Sequence, residues 1–181
     1  NTYIYENGLS KVLEEQLNKN FFPMDKTPEY GDVFIISVGT PVRKIDGDDN
    51  PKPIMDYILE VTKSIGEILR PGNLVVLRST VPVGTTRDIV VPVLEKYSGL
   101  ECGADFHLSF APERTAEGKA LRELRELPQI IGGYNSESVE ATAAIFRELT
   151  TTIVRVSSLE AAETVKLVNN TFRDLVFAYS N

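Results

Sequence analysis

Residues 109–133, SFAPERTAEGKALRELRELPQIIGG, set a carboxylate beside a guanidinium just where an apolar run stops. Glu113 follows Pro112 and could act as a general base, directly or through a water. An exposed loop glutamate, one of 26 acidic residues, is the alternative. Glu117 stands four residues on; were 113–117 helical, both acids would share one side. Arg114 could pair with a ligand phosphate or carboxylate, or simply form a surface ion pair. A second group lies near the end of the chain. Lys166 and Asn170 are four apart in a strongly periodic segment, so they stack on one helix face. The third group is small and polar: Gly39-Thr40-Pro41 and Ser79-Thr80 each follow an apolar run. Their hydroxyls could serve a cofactor, or plain turn chemistry. Gly84-Thr85-Thr86 could open a helix whose amides hold an anion, or be an ordinary N-cap.

Positioning these groups requires strands and helices in alternation. DVFIISVGTP (32–41), NLVVLRSTVP (73–82) and FHLSFAPE (106–113) read as strands, the first two with the continuous apolar core of a strand buried on both faces. LPQIIGG and TTIVRVSS read as two shorter ones. Helical spacing appears over 6–19, 53–69, 85–97, 136–149 and 158–180, with Pro92 expected to kink or delay the third. RKIDGDDNPKP (43–53) reads as a loop outside the sheet. The order predicts an α/β fold with a mainly parallel sheet and flanking helices. Ligands of such sheets sit at the carboxyl ends of the strands, which would gather Gly39-Thr40, Ser79-Thr80 and Pro112-Glu113-Arg114 at one crevice.

In the last segment Ala161, Val165, Val168, Phe172, Leu175 and Tyr179 form one apolar stripe. At about 100° per residue Lys166 and Asn170 fall nearly opposite it. With apolar residues on other sides too, the helix is expected to be buried. Lys166 then either reaches the surface or projects into a polar cavity.

The 181 residues suffice for one domain with a sizeable core. A net charge of −7, without a basic stripe, argues against nucleic acid. No run has the length of a membrane span. The lone cysteine, Cys102, excludes an internal disulfide, fits a reducing compartment and has no histidine partner. No metal-ligand spacing occurs, so no metal is expected. His107, the only histidine, reads as structural. No G-x-G-x-x-G is present. A dinucleotide fold carries that fingerprint in its first strand–helix turn, which would therefore lie upstream of Asn1.

LRSTVPVGTT, FAPERTAEGKALRELRELPQIIGG and AAETVKLVNNTFRDLVFAYSN together resemble the UDP-glucose/GDP-mannose dehydrogenase family. YIYENGL and DVFIISVGTPV also look like its middle region, so the resemblance spans nearly the whole chain. It implies a Rossmann-like sheet and oxidation of a nucleotide-sugar C6 alcohol to a carboxylate with two NAD+. By that resemblance, Glu113 manages a proton or water in acyl-enzyme hydrolysis, and Thr80 lies near the nicotinamide and the reacting centre. Lys166 and Asn170 would stabilise the oxyanion at C6. Gly39, Thr40, Pro41, Ser79, Thr80 and Glu117 would contact NAD. Arg114, Thr115 and Ala116, with Lys166 and Asn170, would lie along the sugar nucleotide.

The family's nucleophilic cysteine belongs to a glycine-rich motif that nothing here matches, and Cys102 is no substitute. Ala111 and Arg114 stand where the UDP-glucose branch shows Asn and a hydrophobic residue, which points to UDP-N-acetylhexosamines, UDP-N-acetylmannosamine among them. UDP-glucose or GDP-mannose oxidation, or a non-catalytic nucleotide-binding or dimerising module, are the competing expectations. Residues 1–156 would be the later part of the NAD-binding domain. Residues 157–181 would begin a linking helix through which the longer parent forms a homodimer. The setting would be cytoplasmic polysaccharide-precursor synthesis, and the 181 residues alone are expected not to turn over.

Overall fold

The structure, a computed structural model, describes residues 6–45 and 48–180. Its strands are β1 (Val33–Ile36), β2 (Val42–Ile45), β3 (Asp48–Pro53), β4 (Leu74–Leu77), β5 (His107–Phe110), β6 (Gln129–Gly133) and β7 (Ile153–Arg155). Its α-helices are α1 (Leu9–Gln16), α2 (Asp56–Gly66), α3 (Val91–Ser98), α4 (Ala120–Glu126), α5 (Ser136–Phe146) and α6 (Leu159–Ser180).

Five strands form one sheet in the order β1-β4-β5-β6-β7. Every neighbouring pair is parallel except β5 with β6. β4 shows why its sequence is continuously apolar. Successive side chains point to opposite faces, and both faces are covered. Val75 and Leu77 join a core with Ile58, Ile65 and Leu94 from α2 and α3. Leu74 and Val76 join Ala143 and Phe146 of α5. β5 alternates for a different reason from the solvent contact that alternation usually signals. Leu108 and Phe110 enter the first core, while Ser109 is fully buried on the other face and donates to the Ser138 carbonyl at 2.9 Å.

Two expected elements differ. The loop expected over 43–53 is not one in its described residues, 43–45 and 48–53: β2 and β3 pair antiparallel as a separate two-stranded ribbon. Both strands are edges there, so Pro51 and Pro53 interrupt no central ladder. The helix over 85–97 begins as a π-helical stretch, Thr86–Val90, in which the Val91 amide reaches the Thr86 carbonyl. Pro92 has no N–H and crowds the preceding turn, and the wider winding accommodates it before α3. α4 lies within the charged stretch that carried no helical expectation.

The antiparallel step has a consequence for chemistry. It brings the start of β6 beside the carboxyl end of β5, so Gln129 stands next to Pro112 at the rim shared by β1, β4 and β5.

Candidate active site

The carboxyl ends of β1 and β4 are stitched together by their own polar residues. The Arg78 amide donates to the Ile36 carbonyl at 2.8 Å, and Ser79 Oγ to the Val38 carbonyl at 2.7 Å. Thr40 Oγ1 donates to the Thr80 carbonyl. Two expected ligand hydroxyls are thus engaged within the chain. Gly39 is exposed, and a Cβ added there would meet nothing within 4 Å. It borders a hollow of about 680 Å³, shared with Lys26, Val38, Tyr57 and Ser64.

After β5 residues 111–116 form neither helix nor strand, so Glu113 and Glu117 do not share a helix face. Glu117 is exposed, next to Gly118, whose φ of +81° suits a residue without a Cβ. Glu113 instead folds back, its carboxylate accepting from the Thr115 amide. The Ala116 amide is held by Glu123 of α4 at 2.7 Å, and Arg114 Nη2 donates to the Pro128 carbonyl at 2.6 Å.

Lys166 closes the arrangement. Only 8% exposed, it donates from Nζ to the Glu113 carbonyl, with the Glu113 carboxylate 3.9 Å away. The surface alternative for this lysine is therefore excluded. Burial lowers its pKa from the ordinary lysine value, the Glu113 charge opposes this, and Arg78, Arg173 and Arg114 add to the fall. For Glu113, partial burial pushes the pKa up, but the Thr115 hydrogen bonds and the Lys166 and Arg78 charges outweigh it. Its net shift is downward, so the carboxylate is ionised at neutral pH. Asn170, one turn on, is half-buried and accepts from Arg173 Nη2 at 3.1 Å. Arg114, Ala116, Asn169, Phe172 and Arg173 line a groove of about 340 Å³ between this loop and α6.

Three participants carried no expectation. Arg78 is buried, donates to Gln129 Oε1 at 3.2 Å and lies over the Phe146 ring. Gln129 Nε2 donates to the Pro112 carbonyl at 3.2 Å. A charged residue ending the run Leu74–Leu77 was the available signal for Arg78; Gln129 offered none, because its place depends on the antiparallel step. The third is Glu163, fully buried, whose carboxylate accepts from the Gly84 and Thr86 amides. The anion at the Gly84-Thr85-Thr86 turn is thus the protein's own side chain. Cys102 is buried, and burial pushes its thiol up to about 12, so it is no nucleophile.

The expected burial of α6 does not extend to its apolar stripe, which is not the face turned inward. Leu159, Ala162, Glu163 and Lys166 are the buried face, while Val168, Phe172, Leu175 and Tyr179 are exposed.

Residues 1–150 match the family described as "UDP-glucose/GDP-mannose dehydrogenase family, NAD binding domain". The chain is 35% identical to the UDP-N-acetyl-D-mannosamine dehydrogenase of Campylobacter jejuni, over 99% of its own length and 44% of that protein's. The UDP-N-acetyl-mannosamine dehydrogenase Cap5O of Staphylococcus aureus superposes with a TM-score of 0.83 at 35% identity, covering 95% of this chain and 41% of that one. A ternary complex of GDP-mannose dehydrogenase from Pseudomonas aeruginosa gives 0.84 at 29% identity, over 99% of this chain and 42% of that one. The chain thus spans less than half the length of the relatives it matches.

Proposed function

The chain belongs to the UDP-glucose/GDP-mannose dehydrogenase family, and from that membership we propose that it forms part of an NAD-dependent nucleotide-sugar 6-dehydrogenase acting on a UDP-N-acetylhexosamine. UDP-N-acetylmannosamine is the substrate favoured by the relatives' names. One observation carries the reading: the buried Lys166 ammonium meets Glu113 at the rim where the strands end.

NAD, when bound, accepts hydride from the alcohol carbon. Gly39, with open space above its backbone and a hollow beside it, fits one wall of a dinucleotide site. Thr40, Pro41, Ser79, Thr80 and Glu117 are the proposed neighbours on that wall, Thr40 and Ser79 by holding its shape. Lys166 and Asn170 face the oxygen that becomes negative as C6 is attacked. A fixed ammonium in a partly dry site stabilises such charge strongly. Glu113, kept ionised, takes the proton of the water that releases the acid. Arg114, Thr115 and Ala116 line the path of the sugar nucleotide, and the groove under Arg114 and Arg173 suits its anionic part.

The domain assignment follows the same reading. Residues 1–156 are proposed as the later part of the NAD domain, since β1 pairs only with β4 among the described residues and Ile35 is half exposed. Residues 157–181 are proposed to open the linking and dimerising helix, its exposed apolar stripe meeting a second copy. No described helix is long and apolar enough to cross a membrane. A cytoplasmic setting is proposed with the same reading, and the single, unpaired buried thiol fits it.

The test is NADH formation by the full-length enzyme with UDP-N-acetylmannosamine, UDP-N-acetylglucosamine, UDP-glucose and GDP-mannose. The first should turn over best, and silence with all four defeats the proposal. Lys166→Ala should raise the barrier by about 3–4 kcal/mol, and near-normal turnover would remove Lys166 from the chemistry.

A further inference from the structure

Glu163 is the only carboxylate among the described residues with no exposure at all, and both its oxygens are engaged. Oε2 accepts from the Gly84 amide at 2.6 Å. Oε1 accepts from the Thr86 amide at 2.8 Å and from Thr86 Oγ1 at 2.6 Å. All three donors belong to the turn that follows Ser79-Thr80; the acceptor belongs to the helix that carries Lys166. Glu163 and Lys166 are three residues apart, one turn of the same buried face.

The other anchors of α6 do not set its register. Leu159 and Ala162 pack against the first core, and apolar contact is non-directional. Gly132 lets the helix approach closely, since a Cβ there would stand 2.2 Å from the Ser158 carbonyl oxygen and 2.9 Å from Ala162 Cβ. Close approach limits separation, not sliding along the axis. Beyond Lys166 the helix is largely exposed. Three directional hydrogen bonds to one carboxylate do fix both rotation and translation. We propose that Glu163 is a positioning residue: it locks α6 to the Gly84–Thr86 turn in the one register that delivers the Lys166 ammonium to the Glu113 carbonyl.

The partner requirement is strict. Glutamine at 163 would turn its NH2 group toward the Gly84 or the Thr86 amide, neither of which can accept a hydrogen bond. Aspartate keeps the charge but is one methylene short. Glu160, on the exposed side, also ties the two elements, through Arg87 at 2.6 Å. That pair is a built-in control, because exposed ion pairs hold little.

The experiment uses the 181-residue chain. Native-state reductive methylation of Lys166 is followed by mass spectrometry, with thermal unfolding recorded alongside. Losing a buried hydrogen bond to a charged group should open the site locally, so Glu163→Gln should raise the Lys166 rate about tenfold or more. The exposed Lys63 should be unaffected, and Glu160→Gln should change Lys166 less than about twofold. Thr86→Val, which removes only the hydroxyl donor, should act in the same direction by a few fold, and it decides the matter if Glu163→Gln fails to fold. A folded Glu163→Gln or Thr86→Val chain with Lys166 labelling at the parent rate overturns the inference, as does an equal effect from Glu160→Gln.

In the full-length enzyme the inference rests on the proposed role of Lys166. There Glu163→Gln should lower kcat with little change in KM for NAD, and Glu163→Asp should recover part of it. Normal turnover of Lys166→Ala would sink that role and leave the labelling result standing.

Discussion

The two halves of α6 are built from similar residues and meet opposite fates. Leu159 and Ala162 in the first half are fully buried. Val168, Phe172, Leu175 and Tyr179 in the second are between 60% and 94% exposed. The first half buries two charged side chains, Glu163 and Lys166, and exposes little that is apolar. The second does the reverse. The difference shows what selects a buried face here: in the first half, hydrogen-bond partners across the chain decided which side turned inward, and in the second no neighbour within the described residues covers the stripe. An apolar period announces that a helix wants cover, without naming the surface that supplies it.

The sharpest way to test the buried half is to hollow it. Leu159→Ala should cost about 2–5 kcal/mol in denaturant unfolding, the range for a truncated core leucine. A cost near zero would mean that α6 does not dock on the sheet as described. Gly132→Ala attacks the same contact from below. The new Cβ would collide with the Ser158 carbonyl and with Ala162, so an overpacking loss of about 1–3 kcal/mol is expected.

All five strands of the main sheet were legible: β1 and β4 as continuous apolar runs, β5 by alternation, and β6 and β7 as short runs with adjacent β-branched residues. The shared rim was legible too: once β1, β4 and β5 are parallel, Thr40, Thr80 and Glu113 follow strand ends on one side of the sheet. Pairing within the loop after β5 was not. Whether 113–117 coils or extends depends on Thr115 and Glu123 holding the backbone, contacts that no local pattern encodes. Glu163 was hidden differently. It sat in plain view three residues before Lys166, but its donors lie 77 and 79 positions earlier, and a buried carboxylate has meaning only beside them.

A smaller effect probes the link between the buried half and the loop that carries Glu113. The pKa of Glu113 is below its ordinary value of 4.5 in the folded chain. Its ionised form therefore contributes stability fully above that value, and the contribution is lost as pH falls through the folded pKa. Unfolding midpoints of the parent should exceed those of Glu113→Gln at neutral pH, and the gap should narrow steadily below about pH 4.5. A gap that stays constant into acid would mean that the carboxylate gains nothing from Thr115, Lys166 and Arg78.

The smallest expected change lies in the exposed half, and it tests the comparison most directly. Phe172→Ser with Leu175→Ser alters two large apolar residues that are 65% and 63% exposed. Replacing exposed side chains should move the unfolding free energy of the isolated chain by no more than about 0.5 kcal/mol. The same pair should weaken self-association, measured by sedimentation, because a stripe of this size is the apolar surface on which two copies would meet. A large stability loss without change in association would show that the stripe packs within its own chain, and the contrast between the halves would collapse. Unchanged stability with unchanged association would keep the contrast and remove the proposed dimer seam.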